Sequence, residues 1–415
     1  MKALTLMAAG MISTGVAFGA TGFVSVKGTG FVDEAGAKFE IRGVNLGHWL
    51  NPEGYMFRFG LCNSPRFIDE MLRQLVGPEE ADSFWREFTE NYITADDLKV
   101  IAAHGLTVVR LPLHYKLFTD ELYLGGRNRG FEFCDRVIAW CREYGLRVVL
   151  DLHDAAGGQT GDNIDDSYGW PWLYESERFQ RELCELWGRI AARYRDEPTV
   201  LGYDIINEPL GWQVKDGSPV RQRYEDRHEA ICKAALKAIR ASGARQIVFF
   251  PGTKWNTEFH VFSDFECDAN LAYQCHSYGT NTLNQIRGNF TPFRDRSGRP
   301  MWMGETGGGT DEWTAETVAA LKSADIGYTF WSYKMPDFED KPSDHAGFSA
   351  VIMPEGWSNV VAFAKGPRAG YGEMDQTLCD TVGTRERAKE ILRAYLKAIR
   401  AENCRIHERY FELIK

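Results

Sequence analysis

The chain repeats one unit: an amphipathic helix, a Gly or Pro stop, and a short β-branched run that ends in a polar residue. "CDRVIAWCREYGLRVVLDLHD" and "KAALKAIRASGARQIVFFPG" are two of five such segments. The Gly that follows most of these helices suits a left-handed C-terminal cap. The runs are almost continuously apolar, which is typical of parallel strands covered on both faces. This unit therefore predicts an α/β protein with a parallel sheet.

Three further strand-like runs bring the predicted strands to eight: "FEIRGVNL", "LAYQCHSY" and "RPMWMGET". Eight βα units predict a single closed (β/α)8 TIM barrel. A doubly wound open sheet is the alternative, but it lacks support because no Gly-rich dinucleotide turn follows the first strand. Residues 22–38 are predicted to form a β-hairpin that plugs the bottom of the barrel. Residues 335–385 are rich in Gly, Pro and Asp and are predicted to form a long loop after strand eight.

The N-terminus has the features of an export signal. Residues 1–20 carry one Lys, no acidic residue and a small, apolar stretch that ends in Ala17-Phe18-Gly19. This pattern predicts a signal peptide over 1–20, a barrel domain over 21–415, and a secreted or periplasmic protein. No later stretch reaches the roughly 18 uninterrupted apolar residues of a spanning helix, so we expect no membrane span.

Composition excludes several classes of partner. The net charge of -10 and the pI near 5.5 argue against nucleic acid, whose phosphates would be repelled. The nine cysteines form no CxxC pair, which argues against a zinc ribbon or a thioredoxin-like site and leaves any disulfide pairing open. The acidic run "DNIDDSYG" lacks the Gly and the distal Glu of an EF-hand loop, so we expect no metal. We expect a monomer.

Polar residues stand at the ends of the predicted strands, where the chemistry of such barrels is found. In chain order these are Asn45, Arg110, His153, Asn207 with Glu208, His276 with Tyr278, Glu305, and Trp331. Glu208 and Glu305 follow strands four and seven, so they are predicted to face each other across the barrel mouth. A pair of carboxylates flanking a bond is what glycoside hydrolysis requires. The alternative for each glutamate is a loop charge or a structural ion pair.

The strand-end motifs resemble those of glycoside hydrolase family 5, in the order in which they occur. They are "RGVNLGHWLNPE", "VRLPLHY", "DLHDAAGGQTG", "DIINEP", "CHSY", "WMGETG" and "FWSYK". The resemblance extends from about residue 22 to residue 335. Within the family the chain is most similar to the exo-β-1,3-glucanase branch, from which it departs at His48 and at Asn51-Pro52.

The resemblance implies a cofactor-free retaining β-glycosidase that acts on a β-glucan or a β-glucoside. It implies that Glu208 is the acid/base and Glu305 the nucleophile. Arg110 and Tyr278 would support the ionised nucleophile, and Asn207 would donate to the sugar 2-hydroxyl.

The remaining implied residues bind the sugar. His153 and His276 would hold hydroxyls or orient the carboxylates, and Trp331 would form a flat floor under the sugar. Glu53, Asp162 and Asn163 are expected to bind the non-reducing end and close the cleft into a pocket, with Trp49, Tyr55 and Trp170 as its wall. This arrangement predicts exo action. In the alternative, Glu53 pairs locally and the cleft stays open.

Two rivals remain at this stage. One is an endo-acting cellulase or mannanase on the same scaffold. The other is a catalytically idle carbohydrate-binding barrel, which would need hydroxyl partners but no paired acid and nucleophile.

Overall fold

The computed structural model describes residues 22–338 and 347–415. The predicted signal peptide at residues 1–20 lies outside this part of the chain. The strands are β1 (Ser25–Lys27), β2 (Gly30–Val32), β3 (Lys38–Phe39), β4 (Arg42–Asn45), β5 (Val108–His114), β6 (Arg147–Asp154), β7 (Val200–Asp204), β8 (Ile247–Pro251), β9 (Leu271–His276), β10 (Met301–Thr306), β11 (Gly327–Phe330), β12 (Lys334–Asp337), β13 (Ser349–Ile352) and β14 (Arg405–Ile406).

The α-helices are α1 (Gly54–Phe57), α2 (Pro65–Val76), α3 (Pro78–Asn91), α4 (Ala95–Ala103), α5 (Gly130–Tyr144), α6 (Glu177–Tyr194), α7 (Pro219–Ala241), α8 (Thr253–Asn256), α9 (Thr282–Gln285), α10 (Thr291–Ser297), α11 (Asp311–Ser323), α12 (Trp357–Lys365), α13 (Tyr371–Thr381), α14 (Arg385–Ala398) and α15 (Glu408–Leu413). Short 3-10 helices cover Tyr115–Phe118, Asn163–Asp165, Trp172–Tyr174, Gly279–Asn281 and Ala401–Asn403, and a π-helix covers Ile286–Phe290. Among the described residues, no helix is long and apolar enough to cross a membrane.

Strands β4 to β11 form a closed barrel in chain order, and every neighbouring pair in it is parallel. The predicted (β/α)8 barrel is therefore confirmed. All eight residues of β6 are buried, as expected for a strand covered by helices on one side and by the barrel interior on the other. Gly145 ends α5 with φ 74° and thus provides the left-handed cap that the sequence predicts.

Strands β1 to β3 form an antiparallel sheet at the N-terminal end of the barrel. Val24 and Phe31 pack there in one apolar cluster with residues near the starts of barrel strands, including Val108, Ile247 and Trp302. The sheet closes the end of the barrel opposite the strand tips. The predicted plug is confirmed.

The connection after β11 is long, as predicted, but it is not an irregular loop. β12 pairs with β13, and β13 pairs with β14 near the C-terminus. Helices α12 and α13 lie between β13 and β14 in the chain. The local sequence of each short strand does not reveal these pairings, because the paired strands are separated by many residues. Lys334 anchors the region, since its buried Nζ lies 2.8 Å from Asp97 Oδ1 and donates to the carbonyl oxygens of Tyr92 and Ile399.

All nine cysteines are unpaired thiols. Five of them are buried and act as small apolar side chains: Cys62, Cys134, Cys141, Cys232 and Cys275.

Candidate active site

The C-terminal ends of the barrel strands carry the polar cluster. Arg110 lies on β5 and Glu305 on β10, while Asn207 and Glu208 lie shortly after β7. These side chains come from three different strands, but the closed barrel brings the strand tips to one mouth. The predicted convergence of these residues is observed.

Glu208, His276 and Glu305 lie close together. One side-chain oxygen or nitrogen of each lies within 4.8 Å of the others. The carboxylates of Glu208 and Glu305 thus approach each other closely. A close approach of this kind is compatible with double displacement, in which the carboxyl groups lie about 5 to 5.5 Å apart.

Glu305 accepts hydrogen bonds on both carboxylate oxygens. Arg110 Nη1 donates to Oε1 at 2.6 Å, and the Tyr278 hydroxyl donates to Oε2 at 2.8 Å. Although 43% of Tyr278 is exposed, its hydroxyl is turned inward to the carboxylate, and burial of that end raises the pKa of Tyr278 well above its ordinary value. The two donors fix the orientation of the Glu305 carboxylate.

Glu208 has a different environment. Burial raises the pKa of Glu208 to about 7, although His153 and Arg110 oppose the shift. His276 Nδ1 lies 2.8 Å from Oε1, and burial lowers the pKa of His276 to about 3, so this imidazole is neutral near pH 7. The backbone at Glu208 has φ 47°, a left-handed conformation that is uncommon for residues other than Gly and is concentrated at functional sites.

Arg110 is the centre of the hydrogen-bond network beneath the mouth. The side chain is fully buried, and acidic neighbours hold its pKa well above the ordinary value against the effect of burial. Its partners are Asn45, Asp151, Asp204, Asn207 and Glu305. Every guanidinium nitrogen therefore has a fixed acceptor, which holds the strand tips in one arrangement.

Glu53 lies at the same mouth. Its side chain is buried, and Oε1 lies 4.0 Å from His153 Nε2. Burial, with the charge of Glu305 as the next cause, raises the pKa of Glu53 well above its ordinary value. Its Oε2 is buried and makes no geometrically defined hydrogen bond within the described residues.

Trp331 lies beside His153 at the mouth. Its ring stacks on His153 with centroids 5.5 Å apart and an interplanar angle of 13°. Its Nε1 donates to the Tyr55 hydroxyl at 2.9 Å. Both contacts hold the indole plane in place.

The sequence matches the family model Cellulase (glycosyl hydrolase family 5) over residues 74–336, which is more than half of the chain. The chain belongs to glycosyl hydrolase family 5. A beta-xylosidase from Phanerodontia chrysosporium is 32% identical to it over 62% of this chain and 52% of its own length. A glucan 1,3-beta-glucosidase from Lachancea kluyveri is 32% identical over 45% of each chain. The matched regions thus span about half the length of these relatives.

Solved structures agree on the fold. The crystal structure of an endogalactoceramidase matches 76% of each chain with a TM-score of 0.57 and 20% identity. A rutinosidase from Aspergillus niger matches 72% of this chain and 90% of its own with a TM-score of 0.56 and 19% identity. At these identities the likeness supports the barrel fold alone.

Two residues predicted for the site of this family 5 protein have partners other than the two glutamates. Asp162 accepts hydrogen bonds from the Ile164 backbone and from Gln213 Nε2, at 3.0 and 2.7 Å. Asn163 lines a separate groove with Leu61 and Arg368. Within the described residues, no hydrogen bond or ion pair connects Asp162 or Asn163 to either glutamate.

The aromatic residues near the mouth divide into two groups. Tyr55, Trp170, Trp172 and Trp212 are exposed, as a cleft wall requires. Trp49 is fully buried and donates from Nε1 to the Thr89 carbonyl oxygen. The prediction that Trp49 lines the pocket is therefore wrong: in this segment the indole packs into the core.

Asp151, Asp204 and the contact between Tyr55 and the Trp331 indole are not predicted from the sequence. A signal exists for Asp151, because it stands two residues before His153 on β6 and alternate strand residues share a face. A signal also exists for Asp204, because it is the last residue of β7. No local pattern indicates the Tyr55 contact, which joins loops far apart in sequence.

Proposed function

We propose that this family 5 protein is a retaining β-glycoside hydrolase that cleaves β-glucosidic bonds by double displacement. The observation that carries the proposal is the close pair of carboxylates in opposite environments. Glu305 accepts from a cation and a hydroxyl, which suits an ionised nucleophile. Glu208 has a pKa raised to about 7, which suits a proton donor.

In the first step Glu305 attacks the anomeric carbon, and the bond from this carbon to the leaving oxygen breaks. Glu208 gives its proton to that oxygen. In the second step water attacks the glycosyl ester, Glu208 takes the proton of this water, and the ester bond to Glu305 breaks. Two inversions release the sugar with its original configuration and restore both carboxyl groups.

The surrounding residues have supporting roles in this proposal. Asn207 donates to the sugar 2-hydroxyl, a contact that strengthens in the transition state. Arg110 and Tyr278 hold the nucleophile, and His276 orients Glu208. Trp331 provides the apolar floor, and His153 lies beside it.

Hydrolysis of aryl β-glucosides tests the function. We expect turnover with the β-anomer as the first product in an NMR time course, whereas an α-anomer would contradict double displacement. Glu305→Ala should abolish turnover and formation of the glycosyl ester. Glu208→Ala should retain hydrolysis of a dinitrophenyl glucoside, whose leaving group needs no proton, and azide should accelerate this reaction. Equal responses of the two variants would contradict the assigned roles.

We also propose exo action on β-1,3-glucan or β-glucosides. The position of Glu53 supports this, since its Oε1 lies 4.0 Å from His153 Nε2 and a carboxyl group there can bond hydroxyls of a terminal glucose. In this proposal Asp162 and Asn163 contribute from the loop that follows β6. The names of the glucan 1,3-beta-glucosidase relatives point in the same direction.

Product analysis tests exo action. On β-1,3-glucan we expect glucose as the dominant early product and a slow fall in viscosity. An early ladder of oligosaccharides, or rapid viscosity loss on soluble cellulose or mannan, would instead favour the endo alternative. Aryl β-xyloside belongs in the same panel because one relative is a beta-xylosidase. Binding of glucan without hydrolysis of any substrate would favour the idle barrel.

We further propose that the protein works without a cofactor or metal, as a monomer, and that it is exported through the N-terminal segment. Activity that survives chelation and dialysis supports the first point. Light scattering measures the molecular mass. N-terminal sequencing of protein from the medium or periplasm locates the start of the mature chain.

A further inference from the structure

Four buried side chains close a ring of three hydrogen bonds and one ion pair beneath the proposed sugar site. Asp151 Oδ2 lies 2.7 Å from His153 Nδ1, and His153 Nε2 lies 3.2 Å from Asn207 Nδ2. Arg110 Nη2 donates to Asn207 Oδ1 at 2.8 Å and lies 3.1 Å from Asp151 Oδ2. Arg110 and Asp151 are fully buried, and His153 and Asn207 are at most 5% exposed.

The ring has one consistent arrangement of protons, because a guanidinium can only donate. Arg110 Nη2 therefore identifies the Asn207 atom that it contacts as the carbonyl oxygen, and it makes Asp151 Oδ2 an acceptor. Asp151 Oδ2 then accepts from His153 Nδ1 as well. Burial lowers the pKa of His153 to about 4, so the ring is neutral near pH 7. Its proton is on Nδ1 and its lone pair on Nε2, because Nε2 faces the Asn207 amide nitrogen, which can only donate.

This tautomer determines which hydrogen bonds the Asn207 amide group can donate. One N–H of the Asn207 amide donates to His153 Nε2, which leaves the second N–H directed away from the ring. We propose that Asp151 is a positioning residue that acts through His153, holding Asn207 so that its second N–H is available to the sugar 2-hydroxyl. The inference rests on the proposed function, in which Asn207 makes that contact.

Asp204 provides a matched control. It also bonds Arg110, with Nε donating to Oδ2 at 2.9 Å, and it is also fully buried. Its other partner is Gln274, and it makes no hydrogen bond or ion pair with His153 or Asn207 within the described residues. Removal of Asp204 thus takes a carboxylate from Arg110 without changing the acceptor of His153.

The test compares an aryl β-glucoside with its 2-deoxy analogue. We expect Asp151→Ala to lower the ratio of kcat/KM for the glucoside to kcat/KM for the 2-deoxy analogue at least tenfold. The ratio should approach the one measured for Asn207→Ala. Asp204→Ala should lower both kcat/KM values and keep the ratio. Asp151→Asn should keep most of the ratio, because its amide oxygen can still accept from Arg110 and His153. Loss of folded protein cancels in the ratio, since both substrates are measured on one preparation.

The inference would be overturned if the kcat/KM ratio of Asp151→Ala stayed within about twofold of the ratio of the unsubstituted protein. It would also be overturned if Asp204→Ala lowered this ratio as much as Asp151→Ala does. Nitrogen-15 NMR of the unchanged protein gives an independent reading if Asp151→Ala does not fold. We expect a proton on His153 Nδ1 and none on Nε2, and the opposite tautomer would also overturn the inference. Absence of turnover by the unchanged protein contradicts the proposed function, whereas turnover with an unchanged ratio contradicts the role of Asp151 alone.

Discussion

Glu208 and Glu305 are the same residue type, yet the protein gives them different chemistry. Glu305 faces a cation and a hydroxyl. Glu208 faces a neutral imidazole and lies on a left-handed backbone. In the proposed mechanism these unlike surroundings suit Glu208 to act as the acid and Glu305 as the nucleophile.

The pKa of Glu208 predicts the alkaline limit of activity. Burial raises this pKa from the ordinary value of 4.5 to about 7, and the protonated form is the one that donates. As the pH rises through about 7, kcat/KM should fall about tenfold per unit for glucosides with a poor leaving group. A dinitrophenyl glucoside should not show this fall. A shared alkaline limb for both substrates would contradict Glu208 as the acid.

Removal of one atom, the Tyr278 hydroxyl oxygen, tests the hydrogen bond to the Glu305 carboxylate. Tyr278→Phe removes the hydroxyl that donates to Glu305 Oε2 at 2.8 Å. A hydrogen bond to a charged group contributes about 1.5–3 kcal/mol, so kcat/KM should fall about 10- to 100-fold. The control is Tyr371→Phe, since Tyr371 is 78% exposed and lies outside the site. Equal activity of the two variants would argue against a role for the Tyr278 hydroxyl.

At the scale of elements, Asp166 joins three segments around the barrel mouth. Its Oδ1 accepts from the Arg66 backbone at the start of α2, and Oδ2 accepts from Lys116 Nζ at 2.6 Å, after β5. His114 Nε2 lies 3.2 Å from Oδ2. Although burial opposes ionisation, His114 and Lys116 hold the pKa of Asp166 well below its ordinary value. The loop after β6 is thus fixed by a buried ion pair.

Removal of this carboxylate should destabilise the fold. Asp166→Ala leaves Lys116 without its partner, and breaking a buried pair costs about 3–5 kcal/mol. The free energy of unfolding in urea measures the loss. Asp196→Ala is the control, because the Asp196 side chain is 88% exposed, and it should change the value by less than about 0.5 kcal/mol. A similar small change for Asp166→Ala would show that the ion pair contributes little.

At the scale of the whole molecule, stability and chemistry lie at opposite ends of the barrel. Phe31 of the plug packs on Phe249 with ring centroids 6.2 Å apart. The polar cluster lies at the other end, where β10 carries Glu305. This separation is the general arrangement of such barrels, whose strand tips carry the site and whose bottom contributes stability.

Phe31→Ala tests the separation. The loss of a buried aromatic ring should lower the free energy of unfolding by about 3–5 kcal/mol. The kcat and KM of the folded protein should not change, since no site residue moves. Leu61→Ala is the control for truncation of an apolar side chain, because Leu61 is 94% exposed. A changed KM in Phe31→Ala at a temperature where it is folded would refute the independence of the two ends.

The sequence by itself determined the barrel and the location of its chemistry. Five helix-to-strand segments and three further strand-like runs are visible because the apolar period of each element is local. Once the strands are placed, the rule that strand tips carry the site selects Glu208 and Glu305. Glu53 lies at the same mouth, 4.0 Å from His153. The Asp162 carboxylate contacts Gln213, a partner that the sequence does not indicate, because the path of a loop depends on what it packs against.

Only the tertiary structure decided how the selected residues behave. The raised pKa of Glu208 comes from burial by groups distant in the chain, and the ring through Asp151 and Arg110 joins three different strands. Trp49 is typical of a cleft aromatic by its position, yet it lies in the core. Local patterns predict which face or tip a residue occupies. Desolvation and hydrogen-bond geometry depend on neighbours that only the closed barrel brings within a few ångströms.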